Sequence, residues 1–393
     1  MIYRLTRPVK TFIMILGALP IITRITGVLC LFLHLPRFNG LNGGSAATPW
    51  RESTLNLTLE DIAQRAGVSR STVSRVVNNH PNVSGKVRQR VLSIIQETNY
   101  QPHAAARALA SQHSWMIGLI LPHSVSSFFT DPYYPHLTKG IAQACNQHDY
   151  TLALFLAGTK DDEQKIFPRL ARKGWLDGVV VQSGHHGEQW IIRRMIDASL
   201  PLVVAGRPFR ADNVSYIDID NIAASYTAVS HLIRLGRRRV ATIAGPANST
   251  VGLDRLAGYR RAITEHGMVL DKNLIAEGDF TEASGYYAMQ TLLPARPDAV
   301  FAASDGMAMG AMRAAQEAHR TIPGDIAFVG FDDLPLAAFS GIQLTTVRQP
   351  VIQFGIQAVE TLIDLIENGI NPPRHIIMNT ELVIRQSCGA ARP

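Results

Sequence analysis

The strongest constraint on the fold is an alternation of short β-branched runs with amphipathic helical segments through residues 115–331. The runs cover residues 117–121, 151–156, 178–182, 202–205, 240–244, 299–303 and 326–331. This alternation predicts parallel sheets covered by helices, and we do not expect one sheet to use every run. Ligands of such folds bind beyond the carboxyl ends of the strands, so polar residues that directly follow strands are candidate contacts.

Residues 57–101 show a different pattern. Thr58, followed three residues later by Asp61, is typical of a capping box at the start of a short helix. Gly67 stands where a left-handed turn is needed, and Ser69 is placed to cap a second helix. This spacing predicts a small all-α helix-turn-helix DNA-binding domain, completed by a third helix over residues 84–99.

The second helix of this motif supplies the candidate DNA contacts, because its first turns face the major groove. Arg70 and Arg75 can each donate a bidentate pair to guanine, and Ser71 can bond several bases. Short polar side chains beside them suit phosphate contacts, which fix the register without reading the sequence: Ser69, Thr72, Ser74 and Asn78. We expect Val73, Val76 and Val77 to face inward.

The charge distribution points to the same end of the chain. Six Lys/Arg against one acid give residues 1–56 a net charge of +5, and seven against three give residues 57–110 a net charge of +4. Residues 111–393 carry 25 against 27, a net charge of −2. A basic module on a nearly neutral body favours a nucleic-acid binder with a regulatory domain. Three widely spaced cysteines predict neither a disulfide framework nor a zinc site and favour a cytoplasmic protein.

Residues 1–56 contain two apolar runs, 12–22 and 25–35, followed by a linker rich in Gly, Asn and Ser. Pro20, Arg24 and Pro36 divide them, and the first run is shorter than the roughly 20 residues that span a bilayer. This favours an inert extension, or a start assigned upstream of the true one near Leu55 or Leu57. A membrane anchor stays open as the alternative.

With these motifs in place, residues 57–386 resemble the LacI/GalR family of bacterial transcription repressors. The resemblance implies a hinge helix at residues 102–114 that folds in the minor groove, with Arg107 near phosphates and Leu109 wedged between base pairs. His103 departs from the Asn or Ser that the family often has there. The implied body, residues 115–388, is two-lobed, α/β and similar to a type I periplasmic binding protein. Lobe 1 would span about 115–237 and 349–377, and lobe 2 about 238–348 and 378–388.

The resemblance also implies an effector site between the lobes. Its matching positions are Asp131, Tyr133, Tyr134, Arg207, Asp220, Arg255, Phe280, Ser304, Asp305 and Asp332. An arginine, acids and aromatic rings suit a polar, hydroxylated effector such as a sugar or sugar acid, although a purine would also stack there. Two reservations remain: the loop at residues 124–130 looks long for the family, and Asp305 can equally be a helix cap.

Enzyme functions find little support. The chain has no G-x-G-x-x-G after its first strand, no phosphate-binding loop, no G-x-S-x-G and no H-E-x-x-H. We therefore expect no catalysis, cofactor or metal site, and we place the adjacent His185 and His186 in a loop. The expected protein is a homodimer that binds a near-palindromic operator and responds to an effector. The competing hypothesis is an exported or membrane-tethered solute-binding protein, with a membrane partner only if residues 1–56 form an anchor.

Overall fold

The computed structural model describes residues 57–77, 80–98, 100, 113–170, 172, 174–183, 188–210, 213–339, 341–369 and 372–390. Every element below belongs to a unit that begins at Thr58. Within the described ranges, no helix is long and apolar enough to cross a membrane.

The first elements are the three helices of the expected head: α1 (Leu59–Ala66), α2 (Arg70–Val77) and α3 (Gly85–Thr98). The capping box is confirmed, because Thr58 Oγ1 accepts from Asp61 N at 3.3 Å and Asp61 Oδ2 accepts from Thr58 N at 2.7 Å. Gly67 has φ 61° and ψ 40°, so the left-handed turn is also confirmed. The core between the helices contains Ile62, Ala63, Ala66, Val73, Val76 and Val91.

The first lobe is built on a parallel sheet in the order β11-β5-β4-β3-β1-β2. Its strands are β1 (Met116–Leu121), β2 (Thr151–Leu156), β3 (Gly178–Gln182), β4 (Leu202–Ala205), β5 (Ser215–Ile219) and β11 (His375–Met378). Its helices are α4 (Val125–Thr130), α5 (Tyr133–Gln147), α6 (Lys160–Leu170), α7 (Glu188–Asp197) and α13 (Val351–Asn368). Helices α5 and α13 pack so closely that a Cβ at Gly140 would clash with the carbonyl oxygen of Ile352.

The second lobe has a sheet in the order β12-β10-β9-β8-β6-β7, in which β12 alone among these strands is antiparallel to its neighbour. Its strands are β6 (Val240–Ala244), β7 (Ile275–Glu277), β8 (Ala299–Ala302), β9 (Ala327–Asp332), β10 (Thr345–Arg348) and β12 (Glu381–Val383). Its helices are α8 (Asn221–Arg234), α9 (Thr250–Glu265), α10 (Glu282–Leu292), α11 (Asp305–Glu317) and α12 (Pro335–Phe339), with 3₁₀ turns at Lys272–Leu274 and Leu293–Ala295.

The chain passes between the two lobes three times: after β5, after β10 and after β11. The first passage corrects the expected boundary at residue 237. Helix α8 already belongs to the second lobe, because Ala228, Val229 and Leu232 pack with Tyr259 in the core under the second sheet. The first lobe therefore ends near Ile219, directly before α8.

Two further details differ from the sequence-based expectations. The segment expected as a long loop, residues 124–130, contains α4, whose first turn is capped by Ser124 Oγ accepting from Ser127 N at 3.1 Å. Five strands, β5, β7, β10, β11 and β12, were not predicted. They are three to five residues long and mix polar with apolar residues, so none stands out as a long apolar run.

Candidate functional site

A cleft lies at the carboxyl ends of strands from both sheets. Seven predicted effector residues line it: Asp131, Tyr133, Tyr134, Arg255, Phe280, Ser304 and Asp332. The cleft thus brings together side chains that are up to about 200 positions apart in the sequence, as the edge of a parallel sheet does. The roles of these residues remain a prediction.

Arg255 on α9 is the buried cation of this cleft, with 5% of its surface exposed. Its Nε donates to Asn221 Oδ1 at 2.9 Å, and its Nη1 donates to Ala303 O at 2.6 Å and Asp332 Oδ1 at 3.3 Å. Its Cζ also lies 3.5 Å from the centroid of the Phe331 ring. Burial lowers the pKa of Arg255, and the Asp332 carboxylate opposes that effect. The guanidinium is therefore fixed in one orientation before any ligand arrives.

Asp332 ends β9 in a left-handed conformation, with φ 116°. Its Oδ1 accepts from Arg255 and from Gln349 Nε2 at 2.6 Å, which leaves acceptor capacity on Oδ2. Burial raises the pKa of Asp332 to about 6, against the lowering effect of Arg255. The next residue, Asp333 (φ 56°), pairs with Arg348 and Arg385. These ion pairs hold the strained turn and so position Asp332.

Aromatic rings form part of the cleft wall. Tyr133 and Tyr134 begin α5, and their rings meet edge to face at 5.6 Å. Tyr134 also exchanges a hydrogen bond with His123 Nε2 at 2.8 Å. Burial raises the pKa of both tyrosines, so both hydroxyls stay neutral. Phe280, with φ 71°, is contributed by the second lobe.

Several lining residues were missed by sequence reasoning: His123, Gln182, Ser183, Asp218, Asn221, Ser249, Gln349 and Phe354. A usable signal existed for some of them. Gln182 and Ser183 end and follow β3, and Gln349 directly follows β10, so they occupy the positions where ligands of this fold are expected. His123, Gln182 and Tyr134 are joined by hydrogen bonds, since Gln182 Oε1 lies 3.2 Å from His123 Nε2.

Three predicted effector residues do not line the cleft. Arg207 forms an ion pair with Asp254 at 2.5 Å. Asp220 is exposed and caps α8, where its Oδ1 accepts from Ala223 N at 2.8 Å. Asp305 is buried at the start of α11, and its carboxylate accepts from Thr346 Oγ1 at 2.5 Å and Leu334 N at 2.9 Å.

The alternative that Asp305 caps α11 is wrong, because the cap is the preceding residue. Ser304 Oγ accepts from Met307 N at 3.1 Å. Asp305 does not line the cleft but bonds Thr346 and the backbone of Leu334, two residues after the cleft residue Asp332. Burial raises its pKa well above the ordinary aspartate value, and the nearby Asp332 adds to that rise.

In the head, α2 presents Arg70, Ser71 and Arg75 to solvent, whereas Val73 and Val76 are buried. Arg70 Nε lies 3.1 Å from Glu60 Oε1, a surface pair that a phosphate or base can replace at little cost. The predicted cap is present, because Ser69 Oγ accepts from Thr72 N at 3.2 Å. Thr72 and Ser74 are partly buried. The predicted contacts Asn78, Arg107 and Leu109 lie outside the described residues.

Comparison with known proteins decides the family. The model for bacterial regulatory proteins of the lacI family matches residues 58–103, and the model for a periplasmic binding protein-like domain matches residues 229–388. The HTH-type transcriptional regulator CelR of Thermobifida fusca is 37% identical over 335 residues, which cover 84% of this chain and 98% of that protein. The chain belongs to the lacI family of bacterial regulatory proteins.

Solved structures agree with this placement. A CelR–cellobiose complex is 35% identical with a TM-score of 0.68, covering 84% of this chain and 99% of that one. A lac repressor dimer bound to operator and the anti-inducer ONPF is 27% identical with a TM-score of 0.74, covering 85% and 99%. This lacI-family protein is a DNA-binding transcriptional regulator with a small-molecule effector domain. The hypothesis of a solute-binding protein is not supported.

Proposed function

We propose that the cleft binds a small hydroxylated effector, a saccharide, and that its occupancy changes the operator affinity of the helix-turn-helix head. The observation that carries the proposal is the buried Arg255–Asp332 pair facing a cleft with aromatic walls. A guanidinium and carboxylates offer charge-assisted bonds to hydroxyl oxygens and hydrogens, and rings such as Tyr133 and Phe280 suit the apolar faces of a sugar. The related CelR structure contains cellobiose.

A purine is the second candidate effector, since aromatic walls also suit a flat base. PurR of Escherichia coli (strain E24377A) is 33% identical over 333 residues, 84% of this chain and 96% of that protein.

For DNA, we propose that Arg70, Ser71 and Arg75 read base edges while Ser69, Thr72, Ser74 and Asn78 bind phosphates. Arg107 and Leu109 would act in the minor groove. Two heads of a homodimer would read the half-sites of a near-palindromic operator, as supported by the lac repressor dimer on its operator. A protein of this function works in the cytoplasm.

The coupling would run through the three passages between the lobes. A ligand that contacts both lobes favours one lobe angle, and it shifts the population toward that state by its difference in affinity for the two states. Gln349, which bonds Asp332, lies in the second passage, so the effector site and a hinge share a residue.

Calorimetric titration of the full chain with cellobiose, maltose, lactose, hypoxanthine and guanine tests the proposal. We expect one of these ligands to bind, and Asp332→Asn to weaken that binding at least tenfold because a charged acceptor is lost. The matched control is Asp220→Asn, which changes an exposed carboxylate away from the cleft and retains a helix-capping side chain. Equal losses in both variants, or binding by neither sugar nor purine, would refute the proposed site.

A further inference from the structure

Asp218 is a buried acid on the lobe 1 wall of the cleft. It lies in β5, one residue before the first passage between the lobes, and only 5% of its surface is exposed. The sequence analysis did not name it as a candidate. Its position adds a third carboxylate to the cleft besides Asp131 and Asp332, and it belongs to the first-lobe sheet whereas Asp332 belongs to the second.

The carboxylate of Asp218 has acceptor capacity left for a ligand. Asn221 Nδ2 donates to its Oδ1 over a long 3.3 Å, and the backbone N–H of Ile219 also donates to it. A carboxylate offers about four acceptor positions. Within the described residues, this buried acid is therefore bonded less fully than burial of a charge ordinarily requires. Burial accordingly raises the pKa of Asp218 to about 6.

Asn221 connects Asp218 to the cation of the cleft. Its Oδ1 accepts from Arg255 Nε at 2.9 Å while its Nδ2 donates to Asp218, and Asn221 is 2% exposed. A buried polar chain therefore runs from Asp218 through Asn221 and Arg255 to Asp332. Asp218 is held toward the cleft by this chain, and the chain joins the two lobes.

The charges that line the cleft disfavour an anionic ligand. Three aspartates, Asp131, Asp218 and Asp332, face one guanidinium, that of Arg255. Arg255 is already paired with Asp332 and bonded to Asn221 and Ala303. A phosphate or carboxylate on the ligand would thus meet two further acids, the partly exposed Asp131 and the buried Asp218, and no unpaired cation among the described lining residues.

We propose that Asp218 is a further effector-binding residue, which accepts hydroxyl donors from lobe 1 opposite Asp332 and selects an uncharged polyol over its phosphorylated or acidic counterpart. This inference rests on the proposed saccharide function. It narrows the effector class to neutral sugars, and it assigns the preference for neutral over anionic sugars to the Asp218 carboxylate.

The test is calorimetric titration of the full chain and of Asp218→Asn with cellobiose, maltose, lactose and glucose, alongside glucose 6-phosphate and glucuronate. For the wild type we expect at least one neutral sugar to bind at least tenfold more tightly than either anion. Asp218→Asn should weaken the neutral sugar about tenfold or more, because a hydrogen bond to a charged acceptor is lost. Asp218→Asn should also reduce the ratio of the affinity for the neutral sugar to the affinity for glucose 6-phosphate or glucuronate.

The melting temperature of the ligand-free protein separates binding from a purely structural role. Because Asp218→Asn removes a buried and incompletely bonded charge, we expect the melting temperature to rise or stay the same. Asp220→Asn should change neither affinity nor discrimination. Unchanged sugar affinity in Asp218→Asn, a lowered melting temperature with unchanged affinity, or a wild type that prefers an anion would overturn the inference. If no sugar binds the wild type, the saccharide function fails first and this inference fails with it.

Discussion

Replacement of Arg255 by Met should destabilise the body and abolish its response to the effector. Met roughly preserves the apolar part of the side chain but removes the donors to Asn221, Ala303 and Asp332. Breaking a buried ion pair by removing one partner costs about 3–5 kcal/mol. For a body of this size we expect the melting temperature to fall by roughly 10 °C at pH 8.

The loss should depend on pH. The folded-state pKa of Asp332 is about 6, whereas aspartate in an unfolded chain titrates near 3.9. At pH 5 Asp332 is mostly protonated in the folded protein, so Arg255→Met leaves no bare carboxylate there. We therefore expect the difference in melting temperature between wild type and variant to be clearly smaller at pH 5 than at pH 8.

Thermal unfolding at both pH values, followed by circular dichroism, measures these differences. The double variant Arg255→Met/Asp332→Asn is the control, because it removes the unpaired charge and should recover much of the loss at pH 8. Operator binding by Arg255→Met should persist without a response to the effector. A fall of less than 2 °C at pH 8, a difference that grows at pH 5, or an intact response would refute the reasoning.

Three further predictions concern the head and the titration of the cleft. Arg75→Ala should weaken specific operator binding by about 1–3 kcal/mol and relax sequence preference at one base pair, as measured by anisotropy on single-base operator variants. Gly67→Ala should cost the head about 1 kcal/mol, seen as faster amide hydrogen exchange in α1; the cost is conformational, because φ is 61° and a Cβ there meets no atom within 4 Å. The unfolding free energy of the ligand-free protein should fall as pH rises from about 4 to 7, because folded Asp218 and Asp332 hold protons more tightly than the unfolded chain does. In urea titrations, Asp218→Asn should reduce this dependence of the unfolding free energy on pH.

The head was predicted well from sequence because its signals are local. A capping box, a left-handed glycine and a helix cap each act within three or four residues, so the residues themselves define the turn between α1 and α2. The long β-branched strands were recognised for a similar reason. Four of the seven predicted runs match a strand at both ends: β2, β3, β4 and β6.

The remaining fold depends on long-range packing. The sequence shows that α8 is a helix but does not show which sheet its apolar face covers, and so the lobe boundary was placed too late. The short strands β7, β10 and β12 pair with neighbours in the sheet, and at three or four residues each they are too short for a strand pattern to stand out in the sequence.

For the cleft, the family resemblance pointed to ten effector positions, of which seven line the cleft, and it missed other lining residues such as Asp218. Asp220 was named as a candidate and Asp218 was not, although Asp218, two positions earlier, is the acid that lines the cleft. Asp218 lies within β5 and is buried, whereas Asp220 lies beyond the end of the strand and caps α8.

The most direct measurement is the operator affinity of the full chain with and without an effector. An operator is first selected from random DNA by the protein itself, and anisotropy titrations on it are then repeated in cellobiose, maltose, lactose and glucose and at several salt concentrations. We predict specific, strongly salt-dependent binding whose Kd changes at least fivefold with one neutral sugar. Failure to select any sequence above nonspecific DNA, or an operator affinity that no sugar or purine changes, would contradict the account.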